Sequence, residues 1–159
     1  MYLSLSELLS SIDAAISENL PASQWVKAEV AELRTAGRGH AYLDLVEKDD
    51  EELLAKCRAT IWAYQYQALA SRFEAETGQA LRNGLNLLLR VQVKFHAIYG
   101  LSLNVVDIDP SFTLGERARK RQEVLDQLDK EGMAEANKAL ALPLVPQRVA
   151  IISSATAAG

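Results

Sequence analysis

The chain has 159 residues, a formal net charge of −4 at pH 7 and an apolar content of 49%, which indicates a globular protein of one domain, or of one domain and a piece of another. No apolar run is long enough to cross a bilayer, and the first residues lack the basic start and apolar centre of a signal peptide. One cysteine excludes an internal disulfide, and one cysteine with two histidines is a poor basis for a zinc site, so we expect a cytoplasmic protein with no membrane contact and no metal or other cofactor in this region.

The N-terminal residues predict an amphipathic helix. Ser4 and Glu7 have the spacing of a capping box, and Leu20-Pro21 ends the pattern. The apolar residues after the cap recur at helical spacing and form one stripe: Leu5, Leu8, Leu9, Ile12 and Ile16. We expect this stripe to pack against the core of the same domain, because the polar face carries acids and serines and offers little to a nucleic acid.

Three strands are predicted next, over residues 24–36, 39–48 and 53–63, since apolar and polar residues alternate there. Gly37 and Gly39 separate the first strand from the second, with Arg38 between them. The second strand has an apolar inner row and a polar outer row: Ala41, Leu43 and Leu45 against His40, Tyr42 and Asp44. The third strand has an outer row that is basic and ends in an aromatic residue: Lys56, Arg58, Thr60 and Trp62.

A helix is predicted over residues 63–77, with Gly78 as its C-terminal stop. Residues 84–110 then predict a long hairpin with its turn at Tyr99-Gly100, and the first arm is long enough to bend round a barrel. Three strands, a helix and two strands form the order of the OB-fold, a small Greek-key barrel. The predicted class is therefore mainly β with flanking helices (α+β), built on a five-stranded OB-fold barrel with an N-terminal helix.

The C-terminal part predicts a helical linker and the first strand of a truncated α/β domain. Residues 113–116 (TLGE) have the form of a second capping box, which would open a helix that ends near Glu131, before Gly132. Residues 148–152 (RVAII) are apolar throughout, as in strands buried on both faces, and small residues follow them to Gly159. A buried strand with a small-residue loop is typical of the start of a doubly wound domain.

Five blocks, spread over nearly the whole chain, carry a family resemblance. They are LSLSELLSSIDAAI, WVKAEVAELRTAGRGHAYLDLVEKDD, CRATIW, YGLSLNVVDIDPSFTLGERARKRQEVLDQL and LPLVPQRVAIISSATAAG. With these blocks the chain resembles the N-terminal part of the large subunit of exodeoxyribonuclease VII, and the last two blocks are the most specific. The resemblance implies an OB-fold that binds single-stranded DNA and a catalytic domain that hydrolyses the DNA to oligonucleotides. It also implies small subunits that attach to a more C-terminal helical region.

The resemblance divides the chain into three parts. We expect residues 1–110 to form an OB-fold nucleic-acid-binding domain with its N-terminal helix, residues 111–146 a helical linker, and residues 147–159 the start of a truncated catalytic domain. The catalytic residues of the family follow the position of Gly159. We therefore expect an N-terminal fragment that is inactive alone, and we assign no catalytic residue.

The predicted DNA-binding residues are basic and aromatic side chains on the outer parity of the strands or at the first turn. Because the net charge is negative, they must form a local patch. The set is Arg34, Arg38, His40, Tyr42, Lys56, Arg58, Trp62 and Lys94. The cations would neutralise phosphate, while Tyr42 and Trp62 would stack on bases. Trp62 could equally plug a barrel end, and Trp25 is expected in the core.

Two other functions share the predicted strand order and basic outer face. A tRNA-binding OB domain, as on some aminoacyl-tRNA synthetases, would prefer a structured RNA loop to oligo-dT, and it leaves the C-terminal SSATAAG block unexplained. A protein-interaction barrel, which the negative charge favours slightly, would bind no polyanion.

Overall fold

The computed structural model describes residues 2–49 and 52–136, and single positions 138, 140, 145, 148 and 153. The chain divides into two compact units, Met1–Arg119 and Lys120–Gly159. The elements in chain order are α1 (Leu5–Asn19), β1 (Gln24–Thr35), β2 (Ala41–Asp49), β3 (Glu52–Ile61), α2 (Ala63–Thr77), β4 (Asn86–His96), β5 (Gly100–Asp109), α3 (Pro110–Lys130) and α4 (Met133–Ala136).

The five strands close into a barrel in the order β1-β2-β3-β5-β4. All neighbours are antiparallel except β3 and β5, which run parallel where Ala59 and Thr60 meet Leu103 and Asn104. The parallel pair completes the closure that removes free sheet edges, as in Greek-key barrels. The five-stranded OB-fold barrel predicted from the sequence is thus confirmed.

The barrel interior is filled by the apolar parity of each strand. The fully buried strand residues include Leu43, Leu87, Leu89 and Val91. Each aliphatic side chain of this kind contributes about 1.5–3 kcal/mol by leaving water. The alternation predicted for β2 and for the start of β4 is therefore confirmed.

A bulge in β5 changes which residues face inward. Arg90 pairs with Asp107 and Val91 with Val105, so Val106 is an extra residue between two register positions. The shift reverses the parity after Val105, which puts Ile108 in the core and leaves Asp107 outside. There Asp107 pairs with Arg72 of α2, and Arg72 also donates to the Ile108 carbonyl at 2.7 Å.

Helix α2 contributes Leu69 and Phe73 to the barrel core. It ends at Gly78, whose φ of 71° is left-handed and whose N–H donates to the Glu74 carbonyl at 2.9 Å. This C-cap needs a residue without a Cβ, which is why glycine at this position was a usable stop signal. The predicted span of this helix is confirmed.

Helix α1 has the predicted cap but not the predicted packing. Ser4 and Glu7 form the capping box, with the Glu7 N–H donating to Ser4 Oγ at 3.3 Å. No residue of the helix is buried, and Leu5 is 72% exposed. The expectation that the stripe packs on the core was wrong, because periodicity predicts a helix with an apolar face and not what covers that face.

Trp25 is also not in the core, since 48% of it is exposed. On the inward parity of β1, Ala28 belongs to the core cluster and Val26 packs against that cluster. The prediction was wrong because it rested on the size of the indole. The position of Trp25 in the alternation of the strand turns it outward.

Helix α3 begins at Pro110, three residues before the predicted capping box. The Asp109 carboxylate accepts bonds from the Ser111 N–H at 2.9 Å and the Ser111 hydroxyl at 2.6 Å, so it caps the helix. Thr113, expected as the cap, is buried inside the helix and donates to the Asn86 carbonyl at 3.3 Å. Proline at the first helical position after an aspartate was the stronger signal.

In the second unit the structure describes the rest of α3 to Lys130, the short α4 and a few single positions. Gly132 follows α3 as predicted, with a φ of 69°. The strand and loop predicted within residues 147–159 lie outside the described residues, apart from Arg148 and Ser153.

Candidate nucleic-acid interface

A groove of about 480 Å³ runs over the outer faces of β1, β2 and β3 to the β4–β5 turn. Its lining residues are Glu32, Arg34, Tyr42, Leu43, Asp44, Arg58, Ala59, Thr60, Tyr99, Leu101 and Ser102. The lining combines cations, carboxylates, hydroxyls and two tyrosines. Such a surface can bind a flat ligand that carries charged groups at its edges.

Strand register brings the groove side chains into two adjacent rows. Arg34 lies opposite Tyr42, and Tyr42 lies opposite Thr60. The second row places Glu32 opposite Asp44 and Asp44 opposite Arg58. Since directly opposed residues point to the same face, each row forms a line across three strands. Three of the eight predicted residues, Arg34, Tyr42 and Arg58, therefore share one groove.

The groove is electrically balanced rather than basic. Arg34 donates two bonds to the Glu32 carboxylate, both at 2.7 Å, and these hydrogen bonds raise the pKa of Arg34. Lys56 contacts Asp44 at 2.8 Å, and this bond is the main cause that lowers the pKa of Asp44. The charges of Lys56, Arg58 and Arg34 lower it further. The two acids were absent from the predicted site, although alternation alone put Asp44 on the outer face.

His40 and Trp62 lie beside the groove, at the start of α2. His40 Nδ1 accepts the Ala63 N–H at 3.1 Å, at the first residue of α2, where Trp62 is the N-cap without a side-chain cap bond. The rings of His40 and Trp62 meet edge to face with centroids 5.1 Å apart. Neither lines the groove, and Trp62 keeps 41% of its surface exposed.

The other predicted cations lie near the groove without lining it. Arg38 is exposed in the β1–β2 turn, where the Gly39 N–H donates to the Ala36 carbonyl at 2.8 Å. Lys94 is exposed on β4 opposite the groove residue Ser102. Lys56 does not line the groove, but it contacts the groove residue Asp44. The sequence set is therefore split between the groove and its surroundings.

Tyr99 is an aromatic residue of the groove that the sequence prediction also missed. It lies in the β4–β5 turn, 81% of it is exposed, and its ring is 4.7 Å from that of His96, centroid to centroid. Sequence reasoning treated it only as a turn residue, together with Gly100, whose φ is 75°. An aromatic residue at the tip of a hairpin, where nothing covers it, was the available signal.

Residues 3–109 match the family model described as an OB-fold nucleic acid binding domain. The chain belongs to this family. Among curated proteins it is similar to the exodeoxyribonuclease 7 large subunit of Deinococcus radiodurans, with 40% identity over 99% of this chain. It is also similar to that of Moorella thermoacetica, with 31% identity over 86% of this chain. The resemblance inferred from the sequence blocks is confirmed.

The chain spans 39% of the length of the first relative and 31% of the second. Among solved structures, a mitochondrial single-stranded DNA-binding protein of S. cerevisiae aligns over 55% of this chain and 90% of its own, with 16% identity and a TM-score of 0.38. That likeness is too distant to bear on fold or function. None of the described helices is long and apolar enough to span a membrane.

Proposed function

We propose that the groove binds single-stranded DNA, and that the chain is the DNA-binding region of an exodeoxyribonuclease VII large subunit. Hydrolysis of DNA to oligonucleotides and attachment of a small subunit would belong to the larger protein. The names and identity of the two curated relatives support this proposal. A cytoplasmic site of action is also proposed, and the free thiol of Cys57 is consistent with it.

The observation that carries the proposal is the row of Arg34, Tyr42 and Thr60 beside Arg58 in one groove. Nearly half of Tyr42 is open to solvent, at 48%, and Tyr99 at the hairpin tip is more open still. Stacking of a base on such a ring is worth about 1–3 kcal/mol and tolerates any sequence. Bases are available for stacking only when they are unpaired, so this chemistry favours a single strand.

The proposal is tested by fluorescence anisotropy of labelled oligo-dT with the full chain at low and moderate salt. Tyr42→Ala should weaken binding by about 1–3 kcal/mol through the lost stacking contact. Tyr64→Ala is the matched control, because Tyr64 is 77% exposed on α2 and outside the groove. Equal affinities for the wild type and both variants would contradict the groove as the binding site.

The cations are tested by the double variant Arg38→Ala, Arg58→Ala. We expect weaker binding and a salt slope shallower by about 1.4, since each phosphate contact to a single strand contributes about 0.7. The same titration with tRNA separates the other functions. Preference for tRNA would support a tRNA-binding domain, whereas no salt-dependent binding to either polyanion would support a protein-interaction barrel.

A further inference from the structure

Two carboxylates line the groove, next to the cations that would hold phosphate. Glu32 and Asp44 are directly opposite one another on neighbouring strands and point to the same face. Opposed like charges on a sheet are destabilising unless other charges offset them. Here Arg34 offsets Glu32 and Lys56 offsets Asp44, through bonds of 2.7 Å and 2.8 Å.

These pairs occupy some of the donors that a phosphate would use. Arg34 already uses Nε and one terminal nitrogen in its two bonds to Glu32. That side of a guanidinium is the fork that also binds phosphate in bidentate fashion. A DNA phosphate must therefore displace a carboxylate or bind the donors that remain, and either route leaves a negative charge close by.

We propose that Glu32 and Asp44 act as internal competitors of phosphate, which weaken the electrostatic part of binding and make it depend on stacking to Tyr42 and Tyr99. The inference rests on the proposed function of the groove. It also gives the two acids a part in specificity. Duplex DNA carries a denser line of phosphates and buries its base faces, so the carboxylates disfavour the duplex more than the single strand.

The experiment uses the double variant Glu32→Gln, Asp44→Asn in the full chain, with each single variant beside it. Amides keep the shape and one acceptor of each side chain but remove its charge. Glu47→Gln is the matched control, because Glu47 is an exposed carboxylate of β2 outside the groove. Thermal melting of every variant checks that the barrel remains folded.

Anisotropy with labelled oligo-dT over a series of salt concentrations is the readout. If Arg34 and Lys56 become free for phosphate, the salt slope should steepen by about 1.4, at about 0.7 for each single-strand contact. Affinity at low salt should rise about tenfold, which corresponds to about 1.4 kcal/mol. A duplex of equal length should gain at least the same factor, and the control should change less than about twofold for a charge outside the site.

Three results would overturn the inference. Weaker binding of the double variant would mean that the carboxylates orient the cations for phosphate and do not compete with it. Equal tightening by Glu47→Gln would reduce the effect to net charge. An unchanged salt slope would mean that no phosphate contact was gained. If the wild type binds oligo-dT in each case, only the inference fails; if it binds no oligo-dT at any salt, the proposed function fails as well.

Discussion

The inner and outer faces of β1, β2 and β3 share a backbone, but different forces act on them. Leu43 and Ala59 point inward and are almost completely buried, whereas their neighbours Tyr42 and Arg58 point outward and are exposed. The inner contacts gain free energy from apolar burial, which salt and pH hardly alter. The outer contacts are surface ion pairs, each worth about 0–1 kcal/mol.

The difference separates the residues that fold the chain from those available to a ligand. Breaking a surface ion pair such as Arg34–Glu32 costs the folded chain little stability, so a charged ligand can take the place of one partner. A ligand cannot replace the contacts of a buried leucine in the same way. Substitutions on the inner face should therefore change stability and spare the binding chemistry, and those on the outer face should do the reverse.

The largest expected effect tests the two faces at adjacent residues of β2. Leu43→Ala should destabilise the chain by about 2–5 kcal/mol, because it removes a buried side chain and leaves a cavity. Tyr42→Ala should change stability by no more than about 0.5 kcal/mol, as for most surface positions. Urea unfolding followed by circular dichroism measures both. Comparable losses for the two variants would show that the outer tyrosine also supports the fold.

An intermediate effect is expected at His40, where the two faces meet. His40→Ala removes the acceptor of the Ala63 N–H, the only side-chain bond seen at this helix start among the described residues. We expect a loss of about 1 kcal/mol, as for other helix caps, and a smaller loss of oligo-dT affinity than for Tyr42→Ala.

Ser4→Ala is the comparison for His40, since Ser4 caps a helix with no buried residue. Loss of the Ser4 hydroxyl should fray α1 and leave the urea midpoint of the barrel unchanged. If His40→Ala reduces binding more than Tyr42→Ala while the barrel stays folded, then the original assignment of His40 to the DNA site is the better one.

Alternation along the strands and the order of elements were enough to predict the barrel, because its interior is fixed by one property, the burial of every second side chain. The sequence could not predict the exposure of α1. Its capping box and apolar stripe are stronger local signals than those of α2, whose N-cap residue Trp62 makes no side-chain cap bond and which nevertheless buries Phe73. Local signals fix that a helix forms, but tertiary contacts decide what it packs against.

The candidate site was harder to predict than the fold, because it depends on distances across strands. Parity along β2 and β3 placed Tyr42 and Arg58 outside. In β1 the pairing shifts by one residue between Val30 and Glu32, and this shift turns Arg34 outward although it has the parity of the buried Val30. Only the register shows that the three outer residues share one groove. The pairing of Arg34 with Glu32 involves two residues of one strand, so the sequence contained it in principle. The pairing of Lys56 with Asp44 needs the β2–β3 register, which a single sequence does not supply.

The smallest expected effect uses pH to separate apolar burial from polar contacts outside the core. The hydrogen bond from the Ser111 hydroxyl, followed by backbone bonds from Ser111 and Phe112, lowers the pKa of Asp109. The Asp109 carboxylate thus binds a proton less readily in the folded state than in the unfolded state. The contribution of this carboxylate to the free energy of unfolding is fully present above its pKa in the unfolded chain, about 3.9. It is lost as the pH falls through the lowered pKa of the folded state.

Asp109→Asn should therefore flatten the acid limb of the stability curve below about pH 4, while costing little at pH 7, because asparagine also caps helices well. Leu43→Val is the contrasting variant, since it changes only apolar burial and should lose the same stability at pH 7 and at pH 4. Urea midpoints across this range provide the measurement. If Asp109→Asn follows the wild type at every pH, the cap contributes no charge-dependent stability, and the division between pH-independent core and pH-dependent surface would not extend to the start of α3.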